Sequence, residues 1–121
     1  MTTIIMAGGG TGGHLFPALA IADAVHRIRP EWRIAFAGAH RGVEATVLPE
    51  RGLPHRLFPF EPIHRRQWWR NFRWPFLAGR LIWQVDRWLK EEQPAAVIGT
   101  GGYVSGPVVW RAAVRGIPTG I

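Results

Sequence analysis

Two glycine-rich stretches, each placed after a short apolar run, constrain the fold of this chain more than any other feature. The first, Gly8–His14, follows the apolar run 3–7, and the second, Gly99–Tyr103, follows the apolar run 95–98. An apolar run that ends in glycines before a further apolar segment predicts a buried strand turning into a helix. Glycines let the backbone approach a ligand closely, and the free N–H groups of a helix N-terminus attract anions. Both stretches are therefore candidate phosphate-binding loops.

Strand and helix patterns alternate along the chain, which predicts an α/β fold with a doubly wound parallel sheet. Proline is expected in two first helical turns, at Pro17 and Pro107, and Ser105 is the expected N-cap of the last helix. Strands are predicted at 3–7, 33–37, 55–58, 95–98 and from 116, and helices at about 15–29, 42–49, from 75 and 105–115. Ligands of such sheets bind at the carboxyl ends of the strands, where both glycine stretches fall.

Composition limits the class of protein. A chain of 121 residues with 47% hydrophobic content suits one domain, and its net charge of +7 favours anionic partners such as nucleic acid, acidic lipid or a phosphorylated substrate. The absence of cysteine excludes disulfides and thiolate chemistry. Residues 93–110 lack charge, but prolines and glycines interrupt them, so a strand, a loop and a helix start are expected there rather than a membrane span. The chain stops within its fifth strand, which predicts a fragment of a longer protein.

The region 60–90 concentrates basic residues and tryptophans. Within it, Leu77, Leu81, Val85 and Trp88 have helical spacing and are expected to face the core. The preceding loop is harder to bury because its arginines need partners, and tryptophan beside arginine is typical of a membrane interface. The alternatives to a membrane interface are stacking on nucleic acid and a solvated loop that packs some of its rings against its own domain. The membrane-interface candidates are Arg65, Arg66, Trp68, Trp69, Arg70, Arg73 and Trp74.

Two nucleotide-binding patterns fit the first glycine stretch only in part. Gly8, Gly10 and Gly13 satisfy the dinucleotide pattern G-x-G-x-x-G, but the second strand ends without the acidic residue that would bind a ribose. The spacing from Gly8 to Gly13 also imitates a P-loop, yet His14 stands where the phosphate-binding lysine belongs. Both interpretations are therefore disfavoured, and a dinucleotide oxidoreductase remains the third alternative, which failure to bind NAD would exclude.

The two glycine stretches together resemble a known family. Residues 8–20, residues 99–107 and the ending 116–119 closely resemble the N-terminal domain of the MurG family, and the segment 38–52, with Gly42-Val43-Glu44, is also similar. These are bacterial GT-B glycosyltransferases of family 28, which add N-acetylglucosamine to lipid I (undecaprenyl-pyrophosphoryl-muramoyl-pentapeptide) to make lipid II. The resemblance implies a Rossmann-like N-terminal half, 1–121, that binds the acceptor, with the donor-binding half absent.

The resemblance also implies roles for individual residues. His14 matches the family's proposed general base, and an imidazole is suited to take the proton of the muramoyl 4-hydroxyl. The alternative for His14 is a hydrogen bond to phosphate alone. Thr11, Gly12 and Gly13 match positions used towards the donor, UDP-N-acetylglucosamine. The candidates for the acceptor's pyrophosphate are Gly12, Gly13, Gly101, Gly102, Tyr103 and Ser105.

The expected partners are lipid I, UDP-N-acetylglucosamine and anionic inner-membrane lipids, with no nucleic acid, metal or cofactor. The family's location implies a peripheral protein on the cytoplasmic face of the bacterial inner membrane. An inverting hexosyltransferase is expected of the full-length protein, and this fragment alone is expected to be inactive. The alternative is a non-catalytic, membrane-anchoring subunit of a split GT-B glycosyltransferase.

Overall fold

The computed structural model describes residues 2–9, 12–40, 42–58 and 74–121, with the backbone alone for Gly12, Gly13, Trp74 and Tyr103. Strands and helices alternate throughout, as the sequence predicts. The order of elements is β1 (Thr3–Gly8), α1 (Gly12–Ile28), β2 (Arg33–Ala39), α2 (Glu44–Glu50), β3 (His55–Phe58), α3 (Trp74–Glu92), β4 (Ala96–Gly101), α4 (Gly102–Val114) and β5 (Thr119–Gly120).

The five strands form one parallel sheet in the order β3-β2-β1-β4-β5. The chain moves outward from β1 through β2 to β3, then returns to the other side of β1 to add β4 and β5. This reversal makes the gap between the carboxyl ends of β1 and β4 the topological switch point, where ligands of open α/β sheets bind. The predicted Rossmann-like, doubly wound architecture is confirmed.

Alternate side chains of β1 enter two separate cores, one on each face of the sheet. Ile5 and Ala7 pack with buried residues of α3 and α4, whereas Ile4 and Met6 pack with buried residues of α1 and α2. This alternation follows from the two-residue period of a strand. The predicted apolar stripe of α3 is confirmed at Leu81, Val85 and Trp88, which are buried, and Leu77 is partly buried.

Both helices that follow the glycine stretches begin earlier than the sequence predicts. α1 starts at Gly12, so Pro17 lies in the second turn and removes one intrahelical hydrogen bond there. α4 starts at Gly102, and its N-cap is Gly101. The expectation that Ser105 caps this helix is therefore wrong, because the hydroxyl lies inside the first turn. β4 extends to Gly101, and α4 begins at the next residue, Gly102, so no loop separates the strand from the helix.

The uncharged segment 93–110 divides between β4 and the first part of α4, as predicted from its prolines and glycines. Within the described ranges, no helix has both the length and the apolar character needed to cross a bilayer.

Candidate anion site at the glycine edge

The carboxyl ends of β1 and β4 bring the two glycine stretches together. Gly8 pairs with Gly101 across the two parallel strands. α1 begins four residues after Gly8, at Gly12, and α4 begins directly after Gly101, at Gly102. Two helix N-termini therefore open at the same edge of the sheet. Their free N–H groups and dipoles favour a negatively charged ligand at this edge. We call this region, residues 8–14 and 99–105, the glycine edge.

At Gly101 and Gly102 glycine is required twice over, by backbone conformation and by space. Their φ angles are +109° and +82°, a region that residues with a side chain rarely adopt. A β-carbon on Gly101 would lie 2.7 Å from Nδ1 of His14, and one on Gly102 would lie 2.2 Å from the carbonyl oxygen of Gly9. The second glycine stretch thus packs its bare backbone against the first stretch and against the His14 ring.

His14 lies in the first turn of α1 and is partly buried. Neither nitrogen of its ring forms a hydrogen bond with any residue that the structure describes, so both remain available to a ligand. The backbone carbonyl of His14, by contrast, accepts a hydrogen bond of 2.7 Å from the Thr100 hydroxyl, which belongs to β4. The helix carrying His14 is therefore attached directly to the strand that carries the second glycine stretch.

Ser105 is buried, with 8% of its surface exposed. Its position explains the glycine at 99, since a β-carbon there would lie 2.2 Å from the Ser105 hydroxyl oxygen. The side chain thus packs over β4 at the start of α4. The backbone of Gly12, Gly13 and Tyr103 lies in the first turns of α1 and α4, at the same edge.

A buried glutamate that sequence reasoning did not assign lies beside the first glycine stretch. The Glu44 side chain is 0% exposed, and its Oε1 accepts a hydrogen bond of 2.7 Å from the backbone N–H of Ala39. A β-carbon built on Gly9 would lie 2.5 Å from the carboxylate, and one on Gly42 would lie 2.1 Å from it. The glycines on either side provide the space for this side chain. The sequence feature that could have indicated this buried side chain is the pair of glycines at 38 and 42, one on each side of the end of β2.

β2 ends at Ala39 without an acidic residue, as the sequence predicts, but the acid Glu44 lies close to this strand end. The acid comes from the first residue of α2, five positions after Ala39, rather than from the strand itself. A ribose-binding acid of a dinucleotide site must present its oxygens to the ligand. Glu44 instead directs Oε1 at the backbone of β2 and has no exposed surface.

Several predicted site residues lie outside the described residues. They are Thr11 and the proposed membrane-interface residues Arg65, Arg66, Trp68, Trp69, Arg70 and Arg73, while Trp74 begins α3. Across residues 2–9, 12–40, 42–58 and 74–121, no group of three or more acidic or histidine side chains is arranged to hold a metal ion.

The outer faces of α3 and α4 carry exposed aromatic and basic side chains. Phe76, Trp83 and Trp110 are 83%, 59% and 51% exposed. Arg87 lies over the Trp83 ring at 5.3 Å from its centroid, and Arg111 lies over the Trp110 ring at 4.8 Å. We use the name aromatic face for these exposed residues of the two helices taken together, although Trp83 borders a cavity on the β3 side of α3 and Trp110 borders the groove between α3 and α4. The aromatic face comprises Phe76, Arg80, Trp83, Arg87 and Trp110.

An apolar groove of about 380 Å³ runs between the two helices of the aromatic face. Leu81 and Ile82 line it from α3, and Pro107 and Trp110 line it from α4. The Arg111 guanidinium joins the helices through two hydrogen bonds of 2.8 Å to the Asp86 carboxylate, and these bonds raise its pKa. The Asp86 carboxylate therefore favours the charged form of Arg111.

A second cavity, of about 580 Å³, lies between β3 and α3 and adds positive charge beside the aromatic face. Its described lining includes His40, Arg56, Arg80 and Arg87, together with the carboxylate of Glu91. Arg56 and Arg87 both form ion pairs with Glu91, at 3.4 and 3.2 Å. The side of the domain that carries α3 is thus both apolar and basic.

A doubly wound sheet with paired glycine segments at its switch point defines a Rossmann-like domain with a candidate anion site. The chain belongs to glycosyltransferase family 28, because residues 4–121 match the model of that family's N-terminal domain. This confirms the resemblance predicted from the glycine motifs.

Individual relatives support the same family. The chain is 47% identical over 116 residues to a protein of Carboxydothermus hydrogenoformans named UDP-N-acetylglucosamine--N-acetylmuramyl-(pentapeptide) pyrophosphoryl-undecaprenol N-acetylglucosamine transferase, a match that covers 96% of this chain and 31% of that protein. A protein of the same name from Moorella thermoacetica is 42% identical over 115 residues, covering 95% of this chain and 31% of that protein. The chain therefore spans about a third of the length of the curated relatives it matches.

Among solved structures, the crystal structure of Acinetobacter baumannii MurG is similar with a TM-score of 0.79 and 26% identity. The match covers 98% of this chain and 34% of that one. The similarity extends over the whole sheet and its helices.

Proposed function

We propose that this chain forms the N-terminal, acceptor-binding half of a glycosyltransferase that transfers N-acetylglucosamine from UDP-N-acetylglucosamine to lipid I, producing lipid II. The names of the two relatives specify this donor and this acceptor. The observation that carries the proposal is the packing of Gly101 and Gly102 against His14, at an edge where two helix N-termini open.

The glycine edge suits a lipid-linked pyrophosphate. Bare backbone at Gly12, Gly13, Gly101 and Gly102 allows close approach, and N–H groups of α1 and α4 are suited to bind the phosphate oxygens. Tyr103 and Ser105 complete the proposed acceptor set, and Thr11, Gly12 and Gly13 are the proposed residues towards the donor.

In the proposed reaction His14 acts as general base. Its imidazole accepts the proton of the muramoyl 4-hydroxyl while that oxygen forms a bond to the anomeric carbon of N-acetylglucosamine. The bond from this carbon to UDP breaks at the same time, and UDP leaves with the electron pair. Attack from the face opposite to UDP inverts the anomeric centre. A general base needs one unprotonated ring nitrogen that faces the hydroxyl, and neither nitrogen of His14 is bonded to a residue that the structure describes. A hydrogen bond to phosphate alone is the competing role.

A titration of the 121-residue chain with a soluble lipid I analogue tests the acceptor half of this proposal. We expect the His14 ring resonances in NMR spectra to shift on binding, and His14→Ala to weaken binding only modestly because most phosphate contacts come from the backbone. His26→Ala, a change of an exposed histidine on the same helix, is the matched control. Absence of any shift at His14 under saturating analogue would contradict the proposal.

The transfer reaction itself is tested in the longest chain that the gene encodes. If the reading frame continues past Ile121 into a second α/β half, His14→Ala in that product should lower kcat by about 10²–10⁴-fold, as for loss of a general base. An unchanged kcat would limit His14 to binding. A stop codon after Ile121, with a partner protein needed for turnover, would favour the split-enzyme subunit instead.

The aromatic face is the part of the described chain that we propose lies on the membrane, in addition to the candidates that the sequence offers between Arg65 and Trp74. Aromatic rings prefer the headgroup level of a bilayer, and the neighbouring arginines attract anionic lipid. A peripheral position on the cytoplasmic face of the inner membrane would place the glycine edge within reach of a lipid-linked acceptor.

Co-sedimentation with vesicles tests this surface. We expect the chain to bind vesicles containing phosphatidylglycerol more strongly than vesicles of phosphatidylcholine alone, and the double variant Trp83→Ser and Trp110→Ser to lose most of that binding. Ile28→Ser is the matched control, because Ile28 is 74% exposed but lies at the end of α1. A triple replacement of Trp68, Trp69 and Arg70 by Ser tests the other candidates in the same assay. Equal binding by all variants would remove the membrane proposal.

A further inference from the structure

The pairing of β1 with β4 is interrupted at one residue beside His14. Ala7 pairs with Gly99, but the next residue, Gly8, pairs with Gly101, so Thr100 has no partner opposite it on β1. An extra residue of this kind is a bulge, which turns a side chain away from the direction that regular pairing would give it. Bulges of this type are common beside functional sites.

The Thr100 hydroxyl occupies space that Gly8 leaves empty. A β-carbon on Gly8 would lie 1.8 Å from Oγ1 of Thr100 and 3.0 Å from the carbonyl oxygen of His14. The hydroxyl passes through this gap and donates its 2.7 Å hydrogen bond to that carbonyl. Since a carbonyl oxygen has two lone pairs, it can accept this bond in addition to the intrahelical bond expected of an α-helix.

We infer that Thr100 is a positioning residue for His14. Its bond to the His14 backbone fixes the first turn of α1 relative to β4, and the glycines that follow Thr100 hold the imidazole on its other side. Three consecutive residues, 100–102, therefore contact both the backbone and the ring of His14. The inference rests on the proposed function for its importance in binding and catalysis, but not for the geometry itself.

Thr100→Ala and Thr100→Ser separate this role from ordinary stabilisation. Alanine removes the donor, whereas serine keeps it. Thr46→Ala, a change at an exposed threonine on α2, is the matched control. The readouts are the NMR resonances of the His14 ring, the affinity for inorganic pyrophosphate as probe, and the melting temperature. All are measured on the 121-residue chain.

We expect Thr100→Ala to move the His14 ring resonances and to weaken pyrophosphate binding by about fivefold. A change of this size matches the net contribution of one hydrogen bond. Thr100→Ser should restore both, and Thr46→Ala should change neither. If Thr100→Ala does not fold, Thr100→Cys is compared with Thr100→Ser, because the thiol is a much weaker donor than the hydroxyl in a side chain that is only slightly larger.

Unchanged His14 resonances and unchanged pyrophosphate affinity in folded Thr100→Ala would overturn the inference, whatever the change in melting temperature. A different result would count against the proposed function alone. If the parent chain binds no pyrophosphate, yet Thr100→Ala moves the His14 resonances and Thr100→Ser restores them, the positioning role stands and the phosphate site fails.

Discussion

The glycine edge and the aromatic face use opposite physical means to prepare a surface for a ligand. At the glycine edge, backbone packs on backbone and ring so closely that single β-carbons do not fit. On the aromatic face, large side chains stand in solvent, and the glycines of α3 and α4, Gly79 and Gly106, have open space around them. The first surface has one permitted shape, whereas the second is defined by its chemical character and tolerates changes in shape.

The largest expected effect that would test this contrast is that of Gly102→Ala. Its β-carbon would meet the Gly9 carbonyl at 2.2 Å, and its φ of +82° disfavours any side chain. We expect a loss of about 2–5 kcal/mol in the free energy of unfolding, measured by chemical denaturation. Gly106→Ala, four residues later in the same helix, is the control and should be neutral or stabilising by up to about 1 kcal/mol. Similar losses in both variants would break the contrast.

Glu44→Ala should have the next largest effect. The change leaves the buried N–H of Ala39 without its acceptor and opens a cavity beside Gly9, at an expected cost of about 2–4 kcal/mol in unfolding free energy. Glu44→Gln keeps an acceptor oxygen and should lose less. Glu50→Ala, an exposed position on the same helix, should stay within about 0.5 kcal/mol of the parent chain. A tolerant Glu44 would show that the glycine edge is less constrained than its packing indicates.

The smallest expected effect is that of Gly79→Ala on α3. A β-carbon there meets no atom within 4 Å, and alanine favours a helix over glycine by about 0.5–1 kcal/mol, so the melting temperature should rise slightly. Binding to phosphatidylglycerol vesicles should not change, because the rings and arginines remain in place. A marked destabilisation would mean that the surface of α3 around Gly79 is not open to solvent.

Local patterns were sufficient to predict the order of strands and helices, the parallel sheet and the position of both glycine stretches. The bounds of β3 match the prediction, because His55–Phe58 is a short apolar-containing run between turn residues. The predicted starts of α1 and α4 lie too far along the chain. Pro17 and Ser105 indicated the first turns, but both helices begin earlier, at glycines.

Contacts between distant parts of the chain were beyond prediction from one sequence. Nothing local indicates that Thr100 would reach the backbone of His14, because the bond depends on a skipped pairing between two strands. Glu44 similarly appears as an ordinary helix-start acid until α2 folds back over the end of β2. Such roles arise from tertiary packing, which propensity and periodicity do not encode.

The pairing of β1 with β4 also determines the stage of synthesis and folding at which the glycine edge can form. Ile4 stands beside Ala96, so residues from opposite ends of the chain must meet before the sheet is complete. Closing so long a loop costs entropy in advance of any contact, and such topology slows folding. A chain emerging from the ribosome therefore has no glycine edge until α4 has been made. An anion bound there in the folded state opposes global unfolding, adding about 1.4 kcal/mol for each tenfold rise in its concentration above Kd.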